Sequence, residues 1–324
     1  MSRDIYARLA SGRFLIGDGA MGTMLQQAGL EGGGAPELWN VERPDVVRAI
    51  YQGYVDAGSE MIETNTFGGT RYRLAMHGLQ DRVAELNRAG AQLAREVAGD
   101  DILVAGSMGP TGELMAPLGT LTYEDAVEAF AEQAAALAEG GVDLFVIETM
   151  SDLNEVKAAV EGCRRVSDLP IATTLTFDTN YRTMMGVRPV DALRTLAELG
   201  VNIIGANCGN GPDEIRRVMR EMVAARPEGV YLMAQSNAGL PRYEQGEVVY
   251  DGTPEVMADY AVDMAALGVD IIGACCGSTP AHIAAMKKAL SERPIPERPT
   301  TPPLDTPASD ESPRRQRRRS RRRG

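Results

Sequence analysis

Three cysteines carry the chemistry that is easiest to read in this chain. Cys275 and Cys276 stand side by side in Gly273-Ala274-Cys275-Cys276-Gly277, between the apolar run Val269-Asp270-Ile271-Ile272 and Ser278-Thr279-Pro280, which opens a helix. Cys208 has a matching context, Val201-Asn202-Ile203-Ile204-Gly205-Ala206-Asn207-Cys208-Gly209. Each stretch reads as a buried strand ending in a glycine-flanked turn. Neighbouring side chains of a strand point to opposite faces, so both thiols of the pair reach one point only where the backbone bends. Gly273 and Gly277 permit that bend. Three thiolates with one open position is the arrangement of catalytic zinc. A free cysteine can also be a small buried hydrophobe, and vicinal cysteines rarely form a useful disulfide. The repeated strand-end context favours the metal.

Other apolar runs end in polar residues too. Asp18 lies in Gly17-Asp18-Gly19-Ala20-Met21-Gly22, and Glu148 directly follows Leu144-Phe145-Val146-Ile147. Further runs end in Glu63-Thr64-Asn65-Thr66-Phe67, in Gly109-Pro110-Thr111-Gly112 and in Gln235-Ser236-Asn237-Ala238. Polar groups and glycines at nearly every strand end describe a mouth for a small polar ligand. For Glu148, capping the helix that begins near Asp152 is the structural alternative. The first of these motifs fits G-x-G-x-x-G, but the next strand starts only near Met61, after a long loop. A dinucleotide site needs that strand much sooner.

These strand ends need a frame. Eight apolar runs begin near Phe14, Met61, Ile102, Leu144, Ile171, Asn202, Tyr231 and Asp270, several apolar on both faces as buried parallel strands are. Helical stretches separate them. Gly211-Pro212, Thr253-Pro254 and Thr279-Pro280 put proline at the first helical position. Asp152-x-x-Glu155 has the form of a capping box, and Gly58, Gly140, Gly200 and Gly268 mark helix ends. Strand–helix alternation of this kind predicts an α/β fold, a (β/α)8 TIM barrel, with active residues at the C-terminal strand ends. Both cysteine motifs fall there, on the sixth and eighth strands.

The chain has 324 residues and a net charge of −12, and eight arginines among 314–323 leave the remainder near −20. So acidic a body argues against nucleic-acid binding. No apolar run is long enough to span a membrane, and the N-terminus does not resemble a signal peptide. Four cysteines make no disulfide framework, and a reducing cytoplasm suits thiolate ligands. Residues 1–292 are expected to form the barrel. Residues 293–324, rich in proline and then arginine, are expected to be a disordered tail.

The stretches Gly17–Thr23, Glu63–Phe67, Gly109–Gly112, Gly205–Gly209 and Gly273–Gly277 resemble the zinc-dependent homocysteine S-methyltransferase family. That family includes betaine–homocysteine methyltransferases and the homocysteine-binding module of cobalamin-dependent methionine synthase. The resemblance implies that Cys208, Cys275 and Cys276 hold Zn2+. It also implies that Asp18 and Glu148 receive the amino group of homocysteine, and that Asn237 lies beside the metal. The implied reaction is methyl transfer to the homocysteine thiol, giving methionine without a protein nucleophile. Arg182–Gly186 and Tyr250–Glu255 resemble bacterial betaine-dependent members, so betaine is the expected donor. Trp39, Phe67, Tyr72 and Tyr243 are the aromatic faces that could hold its quaternary ammonium. The alternative is a homocysteine-activating module that uses methylcobalamin or methyltetrahydrofolate through a corrinoid or folate protein in trans. A homo-oligomer is compatible with either reading. His77, His282 and Cys163 match no ligand of the family.

Overall fold

The computed structural model describes residues 3–244 and 247–295. Eight parallel strands form one sheet: β1 (Leu15–Ile16), β2 (Met61–Glu63), β3 (Leu103–Met108), β4 (Leu144–Met150), β5 (Ile171–Leu175), β6 (Ile203–Cys208), β7 (Tyr231–Ser236) and β10 (Ile271–Ala274). A short antiparallel hairpin, β8 (Pro241–Glu244) and β9 (Glu247–Tyr250), is inserted after β7. The order β1-β10-β7-β6-β5-β4-β3-β2 is that of a (β/α)8 barrel wrapped by helices, as the alternation predicted. Closure between β1 and β2 is thin. Glu60 N donates to Ile16 O at 2.7 Å, and Ile16 N donates to the Glu60 carboxylate at 3.2 Å.

Strand parity divides the core in two. Leu15, Met61, Leu103, Leu144, Val146, Ala172, Ile203, Tyr231 and Ile271 fill the barrel interior, whose base is plugged by the helix Ile5–Leu9. Their immediate neighbours Ile16, Ile62, Val104, Phe145, Ile204, Leu232 and Ile272 pack outward against the helices. Being apolar on both faces is what a strand buried on both sides requires.

Pro212, Pro254 and Pro280 open their helices as expected. The box at Asp152 is only half formed. Asp152 accepts from Asn154 N, while Glu155 turns away to accept from the backbone N–H and hydroxyl of Thr111. Gly140 belongs to the last turn of its helix, and the left-handed residue is Gly141, at φ 93°. The final helix ends at Glu292. The expected tail lies, from residue 296 on, outside the described residues. No helix among the described residues is long and apolar enough to cross a membrane.

Candidate metal centre

The three cysteines converge. Cys208 Sγ lies 2.8 Å from Cys275 Sγ, Cys275 Sγ lies 4.0 Å from Cys276 Sγ, and all three fall within 4.8 Å of one another. By strand parity Cys208 should face outward with Ala206. A left-handed backbone at Cys208 itself, φ 59°, turns it to the mouth, and Gly209 at φ 73° continues the turn. A non-glycine residue in that region costs roughly 1–3 kcal/mol, and such strain collects at functional sites. On the other side, Gly277 at φ 79° makes the bend after Cys276. Gly273, expected to help bend the chain, instead lies in the β10 ladder and provides space. A Cβ there would meet Gln235 Cγ at 3.1 Å and Asp18 O at 3.2 Å.

Backbone hydrogen bonds lock the paired cysteines to β7. Cys275 N donates to Ser236 O at 2.7 Å, and Ala238 N donates to Cys276 O at 2.9 Å. Between these contacts stands Asn237, whose Nδ2 donates to Gly209 O at 2.6 Å while its buried Oδ1 has no partner. Hydrogen bonds from Cys208 and Cys275 pull the Cys276 thiol far below its ordinary value. Cys275 is pushed up by its hydrogen bonds to Cys208 and Cys276, together with burial. Crowding thus favours ionisation at Cys276 and disfavours it at Cys275 and Cys208. A cation able to replace the remaining protons would release all three, and three soft sulfurs suit a thiophilic divalent metal. The three-sulfur donor set, with the unpartnered Asn237 amide oxygen at the same turns, fits such an ion.

Beside the sulfurs lies a carboxyl pocket. Asp18 and Glu148 are buried at 2% and 7% exposure, and Glu63 belongs with them. Asp18 Oδ2 accepts from Glu63 N at 2.8 Å, whereas its Oδ1 is buried without a partner. Gln235 Nε2 donates to Glu63 Oε1 at 2.9 Å, and the charge of Glu148 lies close enough to raise the Glu63 carboxyl. Ser107 Oγ and Asn207 Nδ2 donate to the two oxygens of Glu148. Glu148 thus caps no helix. Burial, reinforced by the neighbouring Glu148, pushes the Asp18 carboxyl up to about 8. Burial also lifts Glu148 to about 7, and Glu63 is raised well above its usual value. Among the described residues no lysine or arginine forms an ion pair with any of the three. Their partners among the described residues are neutral donors and one another.

The profile of the homocysteine S-methyltransferase family matches residues 15–290. The chain belongs to that family. Among homocysteine S-methyltransferase relatives, the methionine synthases of Mycobacterium tuberculosis (strain ATCC 25618 / H37Rv) and Mycobacterium leprae (strain TN) are 36% and 35% identical over 309 residues. The alignment takes in 89% of this chain, which spans about a quarter (25%) of the length of either relative. The metallated form of the homocysteine methyltransferase MmuM from Escherichia coli superposes with a TM-score of 0.69 at 26% identity, covering 87% of this chain and 98% of that one.

Asp18, Glu148, Asn237 and the three cysteines all meet at this mouth. Glu63, Ser107, Asn207 and Gln235 were not singled out from the sequence as site residues. Parity was the available signal: Glu63 stands two residues after Met61, and Gln235 two after Met233, so each points where its apolar predecessor points. Tyr250 was also missed as a site residue. Its ring lies against Gly277, where a Cβ would sit 2.2 Å from it, and burial and then the nearby charge of Cys276 push its hydroxyl up. The four aromatics assigned to a donor cage are unequal. Trp39 already has the Arg43 guanidinium 5.0 Å from its ring centre, Phe67 lies against Gly109, Tyr72 is half-buried, and Tyr243 is 76% exposed on the hairpin. His282 caps its own helix and binds Gly252 O, and Cys163 is buried against Met108.

Proposed function

We propose that this chain transfers a methyl group to the thiol of homocysteine to give methionine. Cys208, Cys275 and Cys276 would hold Zn2+, and Asp18, Glu63 and Glu148 would receive the substrate's ammonium group. The observation that carries this reading is an adjacency: three thiols lie within 4.8 Å of one another, and beside them Asp18, Glu63 and Glu148 form no ion pair with any described lysine or arginine. Homocysteine brings a sulfur for the first and an ammonium for the second. Zinc, when bound, supplies a thiolate from a substrate thiol that would otherwise titrate at about 8.5.

The chain's own residues do the positioning. Asp18 and Glu148 give up protons as the ammonium enters, while Gln235, Ser107 and Asn207 keep the carboxyls aimed. Asn237 would offer the ion a neutral oxygen at the cysteine turns, held in place by the bond from its Nδ2 to Gly209 O. Three free thiols suit a reducing compartment such as the cytoplasm.

Two donor readings are open to test. Betaine rests on rim aromatics, of which Trp39 is already engaged by Arg43. A methyl group delivered from a corrinoid or folate carrier is favoured by the 36% identity to a methionine synthase. The experiment supplies the zinc-loaded chain with homocysteine and, in turn, betaine, S-methylmethionine, S-adenosylmethionine and methylcobalamin, and measures methionine. Release with at least one donor is expected. No methionine from any donor, together with a zinc-edge spectrum unchanged by homocysteine, would overturn the proposal.

A further inference from the structure

Thr149 is the oddest residue at the mouth. It sits in a left-handed backbone at φ 59°, beside a register shift in β4 between Ile147 and Met150. Branching at Cβ makes that region especially unfavourable, so a threonine there is a true outlier. Glycine would adopt the same turn without strain. The side chain must therefore do something that glycine cannot.

Its hydroxyl joins two parts of the site. Asn207 Nδ2 donates to Thr149 Oγ1 at 2.7 Å, and Thr149 Oγ1 in turn approaches Cys208 Sγ at 3.9 Å, a long hydrogen bond to sulfur. Asn207 completes a clasp across β5. Its Oδ1 accepts from Thr149 N at 2.9 Å, its Nδ2 also reaches Glu148 Oε2 at 3.2 Å, and its backbone oxygen accepts from Thr176 Oγ1 at 3.1 Å. Both strained residues, Thr149 and Cys208, stand at φ 59° and lie at the two ends of this clasp. Glu148 precedes one and Asn207 precedes the other. The clasp thus fixes one carboxyl of the ammonium pocket against one sulfur of the metal cluster.

We infer that Thr149 is a positioning residue whose hydroxyl, through Asn207 and Cys208, sets the span between the carboxyl pocket and the sulfur cluster. That span selects an α-amino acid by the length of its thiol arm, favouring homocysteine over cysteine, which is one methylene shorter. The inference deepens the proposed function and rests on it. A pocket of adjustable span would accept either thiol, whereas a fixed one rejects the shorter arm because one end must be left unpaired.

The test compares Thr149→Gly, Thr149→Ser and the parent, all zinc-loaded. Three quantities are read: homocysteine and cysteine binding by calorimetry, zinc release to a chelator, and the unfolding temperature. Glycine removes the hydroxyl and relieves the strain together, so Thr149→Gly should unfold no lower than the parent. It should nevertheless lose at least fivefold of the preference for homocysteine over cysteine and release zinc several times faster. Thr149→Ser should restore both. Should Thr149→Gly keep its preference and zinc release within twofold of the parent, or Thr149→Ser fail to recover them, the inference is wrong. A parent that binds neither amino acid would overturn the proposed function itself, and zinc release would still report on the contact between Thr149 and Cys208.

Discussion

The two ends of the barrel use the same side chain in opposite ways. At the base, three acids each stand just before a strand and reach back to the first residues of the strand before it. Glu60 accepts from Ile16 N, Asp143 from Val104 N and Asp270 from Leu232 N. Every one also has a cation: Glu60 has Arg13 and Lys287, Asp143 has Arg3 and Arg95, and Asp270 has Arg226. At the mouth, Asp18, Glu63 and Glu148 have neutral donors and each other. The base acids are complete and serve the fold. Among the described residues the mouth acids pair with no lysine or arginine, which is what the proposed ammonium-binding role requires. What sets the mouth apart is that three carboxyls gather there around one point, whereas Glu155, also buried without an ion pair among the described residues, stands alone and holds the Thr111 turn.

Substitutions can break this contrast, and the largest effect should fall on the metal cluster. Cys208→Ser should lose most bound zinc and reduce methionine formation to background. Because the cluster sits at the rim, above a core filled from within, the barrel should still fold. Full zinc content in that variant would remove the three-thiolate assignment.

A base acid should behave in the reverse way. Asp143→Ala leaves Arg95 without its partner and should destabilise the fold by about 3–5 kcal/mol. That corresponds to a fall of roughly 10 °C in unfolding temperature for a domain of this size. Turnover per folded molecule should stay within about twofold of the parent. A kinetic defect without a thermal one would dissolve the distinction between the two ends.

Glu148→Gln sharpens the comparison from the mouth. Losing a charge-assisted contact worth about 1.5–3 kcal/mol should raise the requirement for homocysteine roughly 10- to 100-fold. The unfolding temperature should not fall, because the amide resembles the protonated acid already favoured by burial. A thiol lacking the amino group should be indifferent to the change.

The smallest effect is in the pH dependence. Burial raises Asp18 to about 8 and Glu148 to about 7, both above their unfolded values. Between pH 4 and 8 the folded, ligand-free chain therefore holds protons that the unfolded chain has shed. These groups contribute stability that is present below about pH 4 and lost as pH rises through 7 and 8. Homocysteine affinity should move the other way and increase over the same interval, since the ammonium needs ionised partners. Titration calorimetry at several pH values should show proton release on binding, and Asp18→Asn should diminish it. Release that is unchanged in this variant would clear Asp18 of the role.

Much of this was legible in the sequence, because periodicity and strand-end chemistry are local. The eight strands, the prolines that open helices, the barrel and the convergence of the cysteines could all be read from runs of a few residues. Asp18 and Glu148 were visible because each follows its own apolar run. Glu63 was not selected, and the reason is physical. Its partner Gln235 is 172 positions away, and it became one of a set only when the barrel brought β2, β4 and β7 around one axis. The same holds for Asn207, whose amide crosses β5 to reach Glu148 and Thr149. The left-handed turns at Thr149 and Cys208 leave no mark in the sequence, since neither residue type favours them. Residue types and their periods set which groups stand at the strand ends. Closure of the sheet decided which of them face one another, and therefore which carboxyls gather at the mouth apart from the described lysines and arginines.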